Sequence, residues 1–274
     1  MVLLVGMSRL TKLKKRYPWA KSVVICTEWL GKYRYPEELR GKYAKAFLLS
    51  RNTVPNHKIY KDRIRFESFL SESGIRWVGG EANSPVDTIP LREAAVCAGL
   101  GIMRKNNFFY GEKGSYYNLE GYLIGEECVL KQTCNLKPCS DKCNLCQNAC
   151  RTKALCAPYT MSPISCLSLW TTFGKNLTPP HLKSDQFGEW MCGCDDCQDT
   201  CPHNRKHDWS EGEEFPGLHE IVELLQPENI LKASKEELQK KVVPKTYDHV
   251  KPRQTNTFKR GAKRLIRLQE KAKN

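Results

Sequence analysis

Twelve cysteines lie between Cys128 and Cys201, in a chain of 274 residues that has 14 in all. Cys26 and Cys97 stand apart from them. This crowding narrows what the chain can fold into more than any other feature. A disulfide framework would spread its cysteines along the whole fold, and a cytosol keeps thiols reduced. Local crowding points instead to bound metal. The first run, PCSDKCNLCQNACRTKAL, spaces Cys139, Cys143, Cys146 and Cys150 as C-x3-C-x2-C-x3-C. The second, MCGCDDCQDTCPHN, spaces Cys194, Cys197 and Cys201 as C-x2-C-x3-C and follows them with Pro202. Cys166 lies between the runs, in PISCLSL.

Two such runs in one chain read as a double iron–sulfur module of the bacterial ferredoxin type, in which the last cysteine of a run crosses to the other cluster. Soft thiolates suit iron and bridge well with sulfide. Crossed ligation assigns Cys139, Cys143, Cys146 and Cys201 to one [4Fe-4S] cluster. It assigns Cys150, Cys166, Cys194 and Cys197 to the other. Structural zinc also uses paired C-x2-C, but it does not ask for three or four cysteines per run with a trailing proline. Cys128, Cys134, Cys156 and Cys192 are surplus and read as small buried hydrophobes. His203 and His207 read as surface residues or as groups standing behind the ligands.

Two clusters imply electron transfer, yet a bare ferredoxin needs far fewer residues. The rest of the chain must use the electrons. With 40% hydrophobic and 27% charged residues the chain is globular. No apolar run reaches the ~18 residues of a membrane helix, and MVLLVGM is too short for a secretory core. A cytoplasmic, monomeric protein without membrane contact is expected. The net charge of +14 suggests a polyanionic partner.

The expected organisation is α+β: an α/β domain over 1–130, the double-cluster domain over 131–207, and a basic helical segment over 208–274. In the first, AKSVVICTEWL, IRWVGG and GYLIGEECVL read as strands. NHKIYKDRIRFESFLSESG reads as a helix capped at Ser73-Gly74, and PLREAAVCAGLG as a helix with proline near its start. Gly99 and Gly101 lack the third glycine of a dinucleotide fingerprint. In the last segment, GLHEIVELLQPENILKASKEELQKKV reads as an amphipathic helix interrupted at Pro227. From Lys232 to Lys273 there are 14 Lys plus Arg against 4 Asp plus Glu, a net of +10. A basic helix could grip phosphates through Lys259, Arg260, Lys263, Arg264 and Arg267, or it could be a solvated charged face.

VDTIPLREAAVCAGLGIMRKNNFFYGEKGSYYNLEGYLIGEE resembles the cobalamin-side segment of epoxyqueuosine reductases, with its Asp-Thr pair, AGLG stretch and Gly-Ser turn. CNLCQNACRTKALCAPYTMSPISCLSL and CGCDDCQDTCPHNR resemble the same family's cluster domain. The resemblance runs over about residues 15 to 210, and more distantly it extends to reductive dehalogenases. It implies a nitroreductase-like cobalamin-binding domain, with base-off cobalamin near Ala98, Gly99, Leu100, Gly101, Lys105, Asn106 and Tyr159. An external low-potential donor would supply electrons through the two clusters. The substrate would be epoxyqueuosine in tRNA, and Asp87 would protonate the epoxide oxygen. A helix cap before TIPLREAA is the alternative reading of Asp87.

The chain departs from the family at Ile102, where tryptophan is common, and at Arg104, where glycine precedes the lysine. The first run opens C-x3-C, and Arg151 replaces its trailing proline. All eight cluster ligands remain. Two other functions stay open at this point. One is a corrinoid iron–sulfur reductase of another small organic substrate, as in dehalogenases. The other is a non-catalytic two-cluster electron-transfer protein, which would not need the segment from Asp87 to Lys105.

Overall fold

The computed structural model describes residues 13–79, 89–129, 132–173, 182–246 and 250–273. In chain order the elements used below are β1 (Ser22–Trp29), α1 (Lys45–Leu48), α2 (Lys58–Glu72), β2 (Trp77–Gly79), α3 (Leu91–Cys97), β3 (Ile102–Met103), β4 (Phe109–Tyr110), β5 (Tyr117–Ile124), α4 (Leu145–Ala149), α5 (Leu167–Phe173), α6 (Asp196–Asp199), α7 (Pro227–Lys232) and α8 (Asn256–Lys273). They form two units that interleave along the sequence. One takes Met1–Trp29, Asn56–Arg104 and Phe108–Ser140; the other takes Leu30–Pro55, Lys105–Asn107 and Asp141–Asn274.

In the first unit β5 is the central strand, with β1 on one side and β2 on the other. Both pairings are antiparallel, and β1 matches β5 from Ser22 opposite Ile124 to Trp29 opposite Tyr117. The β-branched run in β1 favours a pleated strand. Successive side chains of β5 face opposite ways. Leu123 packs with Ile25, Ile89 and with Leu91 and Ala94 of α3. Tyr122 and Ile124 pack with Val24, Cys26 and with Phe66 and Leu70 of α2. Each large apolar side chain so buried contributes about 1.5–3 kcal/mol. Helix α2 stops at Ser73, and Gly74 takes the left-handed conformation (φ 69) of a helix C-cap. Pro90 precedes α3 as its N-cap rather than as its first helical residue. Strands β3 and β4 form a short hairpin, with Ile102 opposite Tyr110 and Met103 opposite Phe109.

The second unit is built on buried tyrosines. Tyr35 Oη donates to Tyr43 O and Tyr43 Oη to Leu225 O, each at 2.9 Å. Tyr33 meets Phe215 edge to face at 5.0 Å. The same stretch pairs with the second cysteine run, where Met191 N donates to Lys42 O (2.7 Å) and Ala44 N to Cys192 O (2.9 Å). Near the C-terminus, α8 packs on α7 and α5 through Phe258, Ala262 and Leu265, which are buried at helical spacing. The segment read as one amphipathic helix broken at Pro227 differs in the structure. His219–Ile221 is a single 3-10 turn, and Pro227 starts α7. Proline fits the first helical turn because the N–H it lacks would have no partner there.

Candidate metal centre

The two cysteine runs fold as short helices flanked by loops. Cys146 sits on α4 and Cys197 on α6, and these two helices pack together. Burial raises the Cys197 thiol well above its ordinary range, and charge on Cys166, Cys150 and Cys146 adds to that push. Burial likewise raises Cys166, with a further push from Cys150. Burial raises Cys194 as well, with Asp196 and Cys197 adding to it. Cys150, Cys166, Cys194 and Cys197, the expected ligands of one cluster, are therefore electrostatic neighbours. Raised above an already basic range, the thiols of Cys166, Cys194 and Cys197 favour their protonated form; bound iron is what would hold them as thiolates. Among the described residues no three Cys, His, Asp or Glu side chains converge on a single-ion site. A [4Fe-4S] cube takes one thiolate at each of four corners, so its ligands surround a body rather than meet at a point. The donor set fits iron–sulfur clusters.

The loops that carry these thiols are held from behind. Lys105 Nζ donates to Asp141 O (2.9 Å) and Cys143 O (3.0 Å). Asn106 Nδ2 donates to Cys197 O (3.0 Å). Lys105 O accepts from Tyr159 N (3.0 Å). Tyr159 is in the left-handed region (φ 61) with its side chain 45% exposed. Lys105, Asn106 and Tyr159, expected beside the cofactor, are thus brought together within the second unit, and the polar ends of the first two brace the cysteine runs. Cys201 follows α6, with its N–H on Gln198 O (3.1 Å).

Sequence reasoning missed a second brace. Lys45 Nζ lies 3.2 Å from Asp195 Oδ2 and 2.9 Å from Asp199 Oδ1, and Lys45 N also donates to Asp195 Oδ2 (2.9 Å). The side chains of Lys45 and Asp195 are 4% and 1% exposed. Burial opposes the ammonium, but Asp195 and Asp199 outweigh it and hold Lys45 above its ordinary range. The ammonium also stands 5.2 Å from the Trp209 ring centroid. Nothing in the local pattern of either segment announces a pair so far apart in the chain.

Cys192 lies two residues from Cys194 and is easily confused with a ligand. Its thiol is fully buried, bonded to Thr172, and pushed up to about 12 by burial. It and Cys128, which packs against the Tyr122 core, fit the reading as small hydrophobes. Cys156 does not: it is exposed, because the turn from Ala157 to Thr160 leaves its thiol at the surface, 3.9 Å from Thr160 O. His203 is exposed. His207 packs on Trp209 at 4.7 Å, and burial lowers its pKa.

In the first unit, Ala98 caps α3 and the AGLG stretch turns into β3. Gly99 has φ 78, and a Cβ there would overlap the Gln132 carbonyl; one at Gly101 would overlap Tyr110 O. These glycines are required by packing of the chain against itself. Leu100 N donates to Ala95 O. Beside α3 a pocket of about 400 Å³ is lined by Ile89, Phe108, Phe109, Tyr117, Ser115 and Asn118 among others. Its ring faces and polar rim suit the edge of a flat macrocycle bearing amide arms. Asp87 lies outside the described residues.

The basic face of α8 divides into two sets. Lys259 Nζ is taken by Leu231 O (3.2 Å) and Ala233 O (2.6 Å). Arg264 bonds Trp190 O and lies over Phe187 (4.9 Å), and burial lowers its pKa to about 10. Arg260, Lys263, Arg267 and Lys271 are exposed and, with Trp170 and Phe187, line a groove of about 770 Å³.

Residues 139–204 match the family model described as a 4Fe-4S double cluster binding domain. Over 194 residues the chain is 29% identical to epoxyqueuosine reductase of Prochlorococcus marinus, covering 70% of this chain and 51% of the relative. Over 195 residues it is 31% identical to the Cellulophaga algicola enzyme of that name, covering 68% and 59%. The chain thus spans between half and three fifths of the length of these relatives. In fold it matches the Bacillus subtilis epoxyqueuosine reductase (TM-score 0.71, 22% identity, 95% of this chain and 68% of that one). It also matches an epoxyqueuosine reductase solved with an epoxyqueuosine-modified tRNA-Tyr stem loop (TM-score 0.70, 24% identity, 92% and 66%). The mixed helix-and-strand fold is that of these enzymes.

Proposed function

We propose that this chain is a cobalamin- and iron–sulfur-dependent reductase that converts epoxyqueuosine to queuosine in tRNA. The observation that carries the reading is the cysteine set. Seven thiols in two runs, and Cys166 between them, lie inside a matched double-cluster domain, and a sequence similarity to epoxyqueuosine reductases extends well beyond that domain. The domain boundaries at 130 and 207, the crossed ligand sets and a cytoplasmic monomer belong to the same proposal. Among the described residues no helix is long and apolar enough to cross a membrane.

When bound, the clusters would deliver single electrons and the corrinoid a strongly nucleophilic metal. The chain's own residues do the rest. Lys105 and Asn106 hold the two cysteine runs in register. Phe108, Phe109 and Tyr117 give the pocket beside α3 an apolar lining, and Asn118 would offer a hydrogen bond to an amide arm. Opening an epoxide leaves an alkoxide, and in a water-poor pocket the proton must come from a side chain. Asp87 fills that role; in the Bacillus subtilis relative an aspartate sits on the catalytic loop. Arg260, Lys263, Arg267 and Lys271 would meet tRNA phosphates, while Trp170 offers a face on which a base can stack.

The test is anaerobic protein loaded with iron, sulfide and cobalamin, given epoxyqueuosine-tRNA and a chemical reductant. Corrinoid absorbance retained through gel filtration and queuosine in the digested tRNA are expected. Cobalamin retention without turnover would favour a different small acceptor, and no corrinoid binding would favour an electron carrier.

A further inference from the structure

Arg104 directly follows β3 and is 2% exposed. Its N–H donates to Phe108 O across the hairpin at 3.1 Å. Its guanidinium lies 5.2 Å from the Tyr110 ring centroid, and Nη2 donates to Lys137 O at 3.1 Å. Held at both points, the fork places Nη1 3.6 Å from Cys139 Sγ, a hydrogen-bonding distance for an atom as large as sulfur. A guanidinium stays charged at every pH a protein tolerates, and a buried charge needs a partner. The sulfur of Cys139 is that partner.

We propose that Arg104 is a tuning residue: it hydrogen-bonds the thiolate of Cys139 and raises the reduction potential of the cluster that Cys139 ligates. The inference rests on reading Cys139 as a cluster ligand. Reduction takes the core from [4Fe-4S]2+ to [4Fe-4S]+ with one electron from an external one-electron reductant. No bond forms or breaks and no proton moves. The added negative charge is spread over the sulfurs, so a fixed cation beside one of them stabilises the reduced cluster more than the oxidised one. Burial keeps solvent ions from screening that difference. The arrangement belongs to this chain, whose Arg104 stands where the resembling family carries glycine.

Redox titration of the full two-cluster chain, followed by electron paramagnetic resonance, tests it. In Arg104→Gln one of the two midpoints should fall. At a fixed potential the reduced-to-oxidised ratio of that cluster should drop about tenfold or more, or about 59 mV for one electron. The other midpoint should stay. Arg104→Lys keeps the charge but loses the planar fork, so the same midpoint should fall by less; this variant decides the matter if the Gln variant loses iron. Wild-type midpoints in Arg104→Lys and in iron-replete Arg104→Gln, or equal falls of both clusters, overturn the proposal. Iron content of Cys139→Ala separately tests the premise: two full clusters there would mean that Cys139 is not a ligand.

Discussion

At the scale of single residues, the chain invests its buried charges around the cysteine runs. Lys45 is paired with Asp195 and Asp199 next to cysteines of the second run. Removing one partner of a buried ion pair leaves the other uncompensated, which costs about 3–5 kcal/mol. Lys45→Met should therefore lower stability by that order, read as a shift of the denaturation midpoint in cluster-loaded protein. An unchanged midpoint would mean that the pair is solvated. Asp87 calls for a different measurement. Asp87→Asn should keep both clusters and the corrinoid, because it changes neither ligand set. Turnover should fall by about two to four orders of magnitude, the usual worth of a general acid. Normal turnover would leave Asp87 as a helix cap.

At the scale of elements, α8 shows how one helix separates structural from available charge. Phe258, Ala262 and Leu265 seat it, and Lys259 and Arg264 spend their charge on main-chain carbonyls. That leaves Arg260, Lys263 and Arg267 as the residues to test against tRNA. Changing these three to Gln should weaken tRNA binding and flatten the dependence of log affinity on log salt by about two to three, at ~0.7–0.9 per phosphate contact. Fold stability should hardly move. Lys259→Gln should do the reverse, costing stability and leaving the salt slope in place. A salt slope unchanged in the triple variant would make this face a solvated one.

For the whole molecule, the second unit is expected to depend on bound metal. It spans the C-terminal half, the residues 105–107 and the stretch Leu30–Pro55, and buried thiols stand among its supports. Ligands that exist as a set only in the folded chain convert metal affinity into folding stability. Removing iron with a chelator under reducing conditions should lower the unfolding midpoint of the second unit and increase hydrogen exchange in α4 and α6. The sheet of β1, β5 and β2 should keep its protection. Uniform loss of protection would show one cooperative unit instead of two. Intact protein should carry about eight iron atoms.

The sequence by itself determined the features set by short spacing: the two cysteine runs, the strands β1 and β5, the cap at Ser73-Gly74 and the charge of the tail. Each follows from contacts or ligand geometry within a few residues. Tertiary structure decided the rest, because it depends on partners far apart in the chain. The described strands pair antiparallel because β1 meets β5 across most of a domain, which hydrophobic runs alone do not reveal. Leu30–Pro55 groups with the second cysteine run through Ala44 and Lys45, although it sits between two stretches of the other unit. Pro227 begins a helix, Cys156 is exposed, and Gly99 and Gly101 make room for the chain itself. Arg104 was visible as a departure from the resembling family's glycine, but only the fold brings its guanidinium to Cys139, because the hairpin of β3 and β4 and the Lys137 carbonyl aim it there.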